Sequence, residues 1–210
     1  MADQILSIVM DDEKYFTFSN DEMPGNEGFF TDNIEKCPDD VRFKGKAKFP
    51  DKILVWIALS EDGMSEPLIR KQKAEAINGL LYHEECLIKR LVPFLEEYYP
   101  SSNYIFWPDK ASPHYSKENI KWMDENLNYV SKDNNPPNVP QARPIETFWA
   151  ILEQKVYANG WQAKTEQHLR KRIKEKLKEF DQPFFQRLFE GVRKKLRNIG
   201  ENGVFSIFKK

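Results

Sequence analysis

A chain of 210 residues is long enough for one domain with a full core, and no apolar run in it approaches the roughly 20 residues that a membrane span needs. Cys37 and Cys86 stand alone, without a close pair or a Cys/His spacing suited to zinc, which argues against a disulfide framework and fits a reducing compartment. The net charge of −1 hides an asymmetry: residues 1–142 hold 16 Lys and Arg against 25 Asp and Glu, and residues 143–210 hold 16 against 8.

That distribution suits an enzyme that gathers cations in one place and contacts a polyanion in another; the alternative is a set of solvated helix faces. The start, Met1-Ala2-Asp3-Gln4, carries no signal-peptide pattern. Gln4 to Phe18 then reads as a strand, with Ile5, Leu6, Ile8, Val9, Tyr15, Phe16 and Phe18 as its apolar positions. Asp11 and Asp12 interrupt it. Side chains alternate across a strand, so the two acids point to opposite faces and cannot do the same job. Either one binds a cation or a basic partner, or the strand is an edge with a solvated acid.

Residues 19–50 lose periodicity and hold Pro24, Gly25, Gly28, Pro38, Gly45 and Pro50, so they form a long loop or insertion. Lys52 to Ser60 is a continuous apolar run, hence a buried strand. Glu61-Asp62-Gly63 turns it, and Glu66 to Arg70 returns as a shorter strand. A helix follows over Ala74–Tyr99, with Leu80, Leu81, His83, Leu87, Leu91, Phe94, Leu95 and Tyr98 at helical spacing and Pro93 placed to kink or divide it.

Asn103 to Trp107 is a short strand running into Pro108 and Asp109. Lys117 to Asn126 is a short helix, and Asn128 to Ser131 a short strand. The stretch from Asn134 to Pro144 is rich in proline and turn formers and delivers the chain to a helix over Ile145–Tyr157. Pro144 stands where its missing N–H costs nothing, and Glu146 lies in the first turn. Ile145, Phe148, Trp149, Leu152 and Val156 make the apolar stripe. Thr165–Phe180 and Pro183–Ile199 read as two amphipathic basic helices, so 165–210 is a basic helical C-terminal region of a single domain spanning 1–210. His83 and His168 read as surface.

This order of strands and helices is an α/β arrangement, a mixed sheet with helices on its faces. Acids on a central strand, at the next strand's end and at a helix start would meet at one edge of such a sheet. Oxygen ligands of that kind suit Mg²⁺ or Mn²⁺, which keep several waters and bind phosphate oxygens alongside. Two such ions support in-line phosphoryl displacement with few other residues. The chain has no convincing Ser/His/Asp or Cys/His set.

Three motifs carry a family resemblance. Val9-Met10-Asp11-Asp12-Glu13-Lys14-Tyr15, Phe106-Trp107-Pro108-Asp109-Lys110-Ala111-Ser112-Pro113-His114 and Pro140-Gln141-Ala142-Arg143-Pro144-Ile145-Glu146-Thr147-Phe148-Trp149 stand in order. Together they resemble the catalytic domain of Tc1/mariner-type transposases over nearly the whole chain. The resemblance implies an RNase H-like fold with an Asp, Asp, Glu triad and selects Asp12 over Asp11. It implies that Asp12, Asp109 and Glu146 hold two Mg²⁺ or Mn²⁺ ions, cut transposon ends hydrolytically and join the 3′ ends to a TA target. His114 would lie near the scissile phosphate as an orienting or proton-handling group, or else cap the following helix. A homodimer on paired DNA ends is implied, with 19–50 clasping the other subunit, and so is work in the nucleus.

The chain departs from the family pattern in two places. Lys110 follows the second acid where the family usually has Asn, and a lysine there would lower cation affinity or bind a phosphate. The family's N-terminal helix-turn-helix region is absent before the first strand, which points to an excised domain, a truncated copy or a host-adopted derivative. Two rival functions remain open: a non-catalytic DNA or protein interaction module, and a ribonuclease of the same fold acting on RNA–DNA hybrids.

Overall fold

A computed structural model describes residues 6–18, 31–38, 52–71, 77–136, 142–203 and 206. Most of the 19–50 segment, and with it the proposed clasp, lies outside these residues. Strand β1 (Ser7–Thr17) and strand β2 (Lys52–Ser60) pair antiparallel through the register Met10–Leu59 to Thr17–Lys52. On the far side of β2 lie two short strands, β3 (Gly63–Met64) and β4 (Leu68–Lys71). The expected return strand over 66–70 is β4, which starts two residues later, and the two-residue β3 precedes it. Pro67 lies in the gap, where it has no N–H to give a ladder. Ser65 bridges the break: its backbone N–H donates to the Ala58 carbonyl, and its hydroxyl accepts the Ala58 N–H, each at 2.9 Å. Strand β5 (Tyr104–Trp107) pairs parallel with β1, and a single bridge from Phe106 to Tyr129 stands where a short strand was expected.

Helices cover both faces of this five-stranded sheet. Residue alternation along β1 and β2 divides the core accordingly. Met10, Phe16, Ile53, Val55, Ile57 and Leu59 face the helices after residue 143, while Val9, Leu54, Trp56 and Ala58 face the helices between β4 and residue 126. From Ile53 to Ser60 every residue of β2 is buried, as a strand covered on both faces requires.

Helix α1 runs through Gly79–Leu81, Tyr82–Leu91 and Val92–Tyr98, and its middle ten residues are wound as a π-helix. The wider winding sends Tyr82, Cys86, Leu87 and Leu91 inward, whereas Leu80 and Tyr98, expected on the apolar stripe, are exposed. Pro93 does divide the helix: the π-winding ends at Leu91 and ordinary α-helix resumes around the proline. Helix α2 (Lys117–Asn126) follows β5, and helix α3 (Pro144–Val156) follows the proline-rich loop.

Helix α4 (Glu166–Leu177) is capped by the Thr165 hydroxyl, which accepts the His168 N–H. The last expected helix is two. Helix α5 (Gln182–Phe189) and helix α6 (Val192–Asn202) are separated at Gly191, whose φ of 77° lies in the left-handed region that glycine adopts without steric cost.

Candidate active site

Strand β1 outlasts its parallel neighbour. The β1–β5 register ends at Met10–Trp107, yet β1 continues to Thr17, so its second half has a flank that β5 does not cover. The chain leaving β5 turns at Pro108 into this notch, and the Asp109 N–H donates to the Asp11 carboxylate at 3.0 Å. The notch lies beyond the carboxyl end of β5, the position at which open α/β sheets gather their functional groups.

Asp12 faces α3. The Trp149 indole N–H donates to Asp12 Oδ2 at 2.9 Å, and two residues along β1 the Lys14 ammonium pairs with Glu153 at 3.0 Å. Glu146 is one helical turn before Trp149 on the same side of α3, exposed in the first turn, with Pro144 where its missing N–H is harmless. Asp12 thus lies on β1, Asp109 just past the end of β5, and Glu146 in the first turn of α3.

Burial, and then the Glu146 and Asp109 carboxylates, push Asp12 up to about 7 against the pull of Arg143. Burial and the charges of Asp12, Asp11 and Asp109 push Glu13 up to about 8. The charges of Glu146 and Asp109 oppose ionisation of Asp12 while that of Arg143 favours it, and a divalent cation beside Asp12 would act in the same sense as Arg143. Among the described residues no group of three or more His, Cys, Asp or Glu side chains is placed to hold a metal ion. The side chains of Asp12, Asp109 and Glu146 are oxygen donors, the ligand chemistry that suits ions which retain water and share ligands with a phosphate.

Asp11, on the opposite face from Asp12, is fully buried. It accepts the Trp56 indole N–H at 3.1 Å and the Tyr82 hydroxyl at 2.7 Å besides the Asp109 N–H. Its lone pairs are committed to neutral donors, so it is a structural acid.

Neither a protein-family model nor a curated protein matches the chain in sequence. Solved structures do match in shape. The pre-cleavage Mos1 transpososome superposes with a TM-score of 0.74 and 17% identity over 100% of this chain and 58% of that one. The Mos1 mariner paired-end complex with Mn gives 0.71 and 16% over 93% and 55%. The isolated catalytic domain of Mos1 mariner transposase gives 0.65 and 14% over 94% and 82%. The fold is that of a mariner transposase catalytic domain. It is RNase H-like, and the chain spans little more than half the length of the Mos1 chains in those complexes.

Within this fold His114 lies in the core beside Asp109. It is fully buried and its ring stacks on Tyr82, with centroids 3.9 Å apart. Its Nδ1 lies 3.1 Å from the Asp109 carbonyl; a carbonyl only accepts, so Nδ1 carries the proton. Its Nε2 lies 3.7 Å from Glu13 Oε2, and neither atom has a hydrogen-bond partner. His114 therefore stands behind Asp109. It does not cap α2 either, since the Ser116 hydroxyl does so by accepting the Asn119 N–H.

Lys110 does not point its charge at the acids: its ammonium donates to the Asn135 carbonyl at 2.7 Å. Three functional neighbours escaped the sequence. Arg143 donates to the Asp11 carbonyl at 2.7 Å and the Pro108 carbonyl at 3.3 Å, tying β1 to the turn before Asp109, with its guanidinium over the Trp107 ring. Its signal was a lone cation at the start of an apolar helix. Trp149 was read as core only, and Glu13 as part of a motif with no role of its own.

Proposed function

We propose that this chain is the catalytic domain of a Tc1/mariner-type transposase, and that it cleaves DNA and transfers strands with Asp12, Asp109 and Glu146 as the metal-holding triad. The single observation that supports the proposal is the environment of Asp12 on β1, whose carboxyl is raised by burial first and then by the charges of Glu146 and Asp109. Two Mg²⁺ or Mn²⁺ ions held there would supply Lewis-acid activation of the attacking oxygen and charge stabilisation at the leaving one. In hydrolysis a water oxygen bonds to phosphorus as the bond to the 3′ oxygen breaks, leaving a 3′ hydroxyl. In transfer that hydroxyl oxygen attacks a target phosphodiester and displaces another 3′ oxygen.

The chain's own residues prepare the site. The Trp149 indole N–H donates to one Asp12 oxygen, Oδ2, so that Oδ1 would be the one to meet a metal ion. His114 orients the Asp109 backbone from behind. Arg143 moderates the charge at Asp12 while its guanidinium donates to the Pro108 and Asp11 backbone carbonyls.

DNA is the partner this reading requires, as transposon ends and a TA target, with two copies of the chain on paired ends and the nucleus as the compartment. Helix α6 offers a contact for the duplex. Arg193, Lys194, Lys195 and Arg197 are exposed there with no acid in its first turn, and Leu196 packs beside Ile8, Trp107 and the Asn134–Pro136 loop next to the notch.

The experiment is a cleavage assay on pre-cut transposon-type DNA ends and on an RNA–DNA hybrid, with Mn²⁺ or Mg²⁺ and with Asp109→Asn as the control. Metal-dependent nicking of the DNA duplex that vanishes in Asp109→Asn supports the proposal. Preference for the hybrid would favour the ribonuclease reading, and inertness on both would favour a non-catalytic module.

A further inference from the structure

We propose that Asn135 is a positioning residue for Asp109 and that Lys110 belongs to the same brace. The inference rests on the reading of Asp109 as a metal-holding acid. Asn135 is 2% exposed. Its side-chain oxygen accepts the Trp107 indole N–H at 2.8 Å, and its amide nitrogen donates to the Pro108 carbonyl and to the Tyr115 hydroxyl, each at 2.9 Å. Its own carbonyl accepts the Lys110 ammonium at 2.7 Å.

These partners enclose the acid. Trp107 and Pro108 precede Asp109, Lys110 follows it, and Tyr115 adjoins His114, which meets the Asp109 carbonyl. None of the bonds uses the Asp109 carboxylate, so the backbone that carries it is held on both sides while its oxygens stay available. The Trp107 and Tyr115 rings are buried in their own right, and the Tyr115 hydroxyl also donates to the Val130 carbonyl at 2.9 Å. The turn is therefore anchored to the core without Asn135. The amide adds direction: together with Arg143 on the Pro108 carbonyl and Asp11 on the Asp109 N–H, it sets the peptide plane between Pro108 and Asp109.

Only asparagine satisfies this geometry. Aspartate has no hydrogens for the Pro108 carbonyl or the Tyr115 hydroxyl, and alanine leaves the Trp107 indole N–H unpaired. A supporting residue of this kind typically changes metal affinity by about 10- to 100-fold when it is lost.

The test uses the full chain carrying Asn135→Ala, Asn135→Asp, Lys110→Met or Lys110→Arg. The probe is Mn²⁺ alone, read by calorimetry, with amide hydrogen exchange at Asp109 as the second readout. The expected result is Mn²⁺ binding at least about tenfold weaker in Asn135→Ala, faster exchange at Asp109, and unchanged exchange in β2. Lys110→Met should shift both readouts in the same direction, and Lys110→Arg should restore them. Wild-type Mn²⁺ affinity together with wild-type exchange at Asp109 in Asn135→Ala overturns the proposal. If Asn135→Ala fails to fold, Lys110→Met decides by the same two readouts. If the unaltered chain takes up no Mn²⁺, the reading of Asp109 as a metal ligand fails by itself. Exchange at Asp109 then decides the brace: lost protection supports it and unchanged protection overturns it.

Discussion

Asp11 and Asp12 are chemically identical neighbours with different duties, and the difference comes from which face of β1 each occupies. Asp12 meets one donor, Trp149, and two other acids; Asp11 meets three donors and is fully buried. Asp109→Asn and Glu146→Gln should each abolish metal-dependent cleavage while circular dichroism stays unchanged, and full activity in either variant would remove that acid from the mechanism. Asp11→Asn should act on stability instead. An amide there must turn its NH2 toward either the Trp56 indole N–H or the Asp109 N–H, neither of which can accept, which costs about 1–3 kcal/mol, measurable by urea unfolding. Trp149→Phe keeps the packing and deletes the N–H on Asp12, so Mn²⁺ affinity should fall by about tenfold at little cost in stability. The opposite placement of Asp11 and Asp12 was legible in strand alternation. The donors to Asp11 were not, because Trp56 and Tyr82 reach it from 45 and 71 residues away. Nothing in a turn-rich loop set Asn135 apart either.

Elements with a single strong pattern were read correctly, and those with two competing patterns were not. Strand β2 and helix α2 have the bounds that their apolar run and N-cap serine suggest. Helix α1 was legible as a helix, but its π-winding depends on packing Tyr82 against Asp11 and His114, and heptad-like spacing cannot show that. The C-terminal amphipathic pattern runs on smoothly through Glu190 and Gly191, hiding the break between α5 and α6. There the positive φ decides. Gly191→Ala places a Cβ in left-handed backbone and should destabilise the protein by about 1–2 kcal/mol, read as a lower urea midpoint; an unchanged midpoint would mean that the two helices fuse without strain.

Across the whole molecule, acids collect in the notch and cations on the C-terminal helices, and both features bear on behaviour in solution. Asp12 and Glu13 have folded values of about 7 and about 8 against ordinary values of 3.8 and 4.5. The folded chain therefore binds more protons than the unfolded one across that window, and its metal-free stability is complete below it and falls as pH rises through about 7 and about 8. The thermal midpoint without metal should be higher near pH 5 than near pH 8, and Mn²⁺ should raise it more at the alkaline end, where the acids are ionised. A flat or rising midpoint without metal would contradict the crowding of charge at the notch.

The most direct measurement is a calorimetric Mn²⁺ titration of the chain beside its Asp12→Asn/Asp109→Asn double variant, with and without a DNA duplex. The account expects saturable binding that disappears in the double variant. Equal Mn²⁺ uptake by both proteins, or no uptake by the unaltered chain even with DNA present, would contradict a metal site built from these acids.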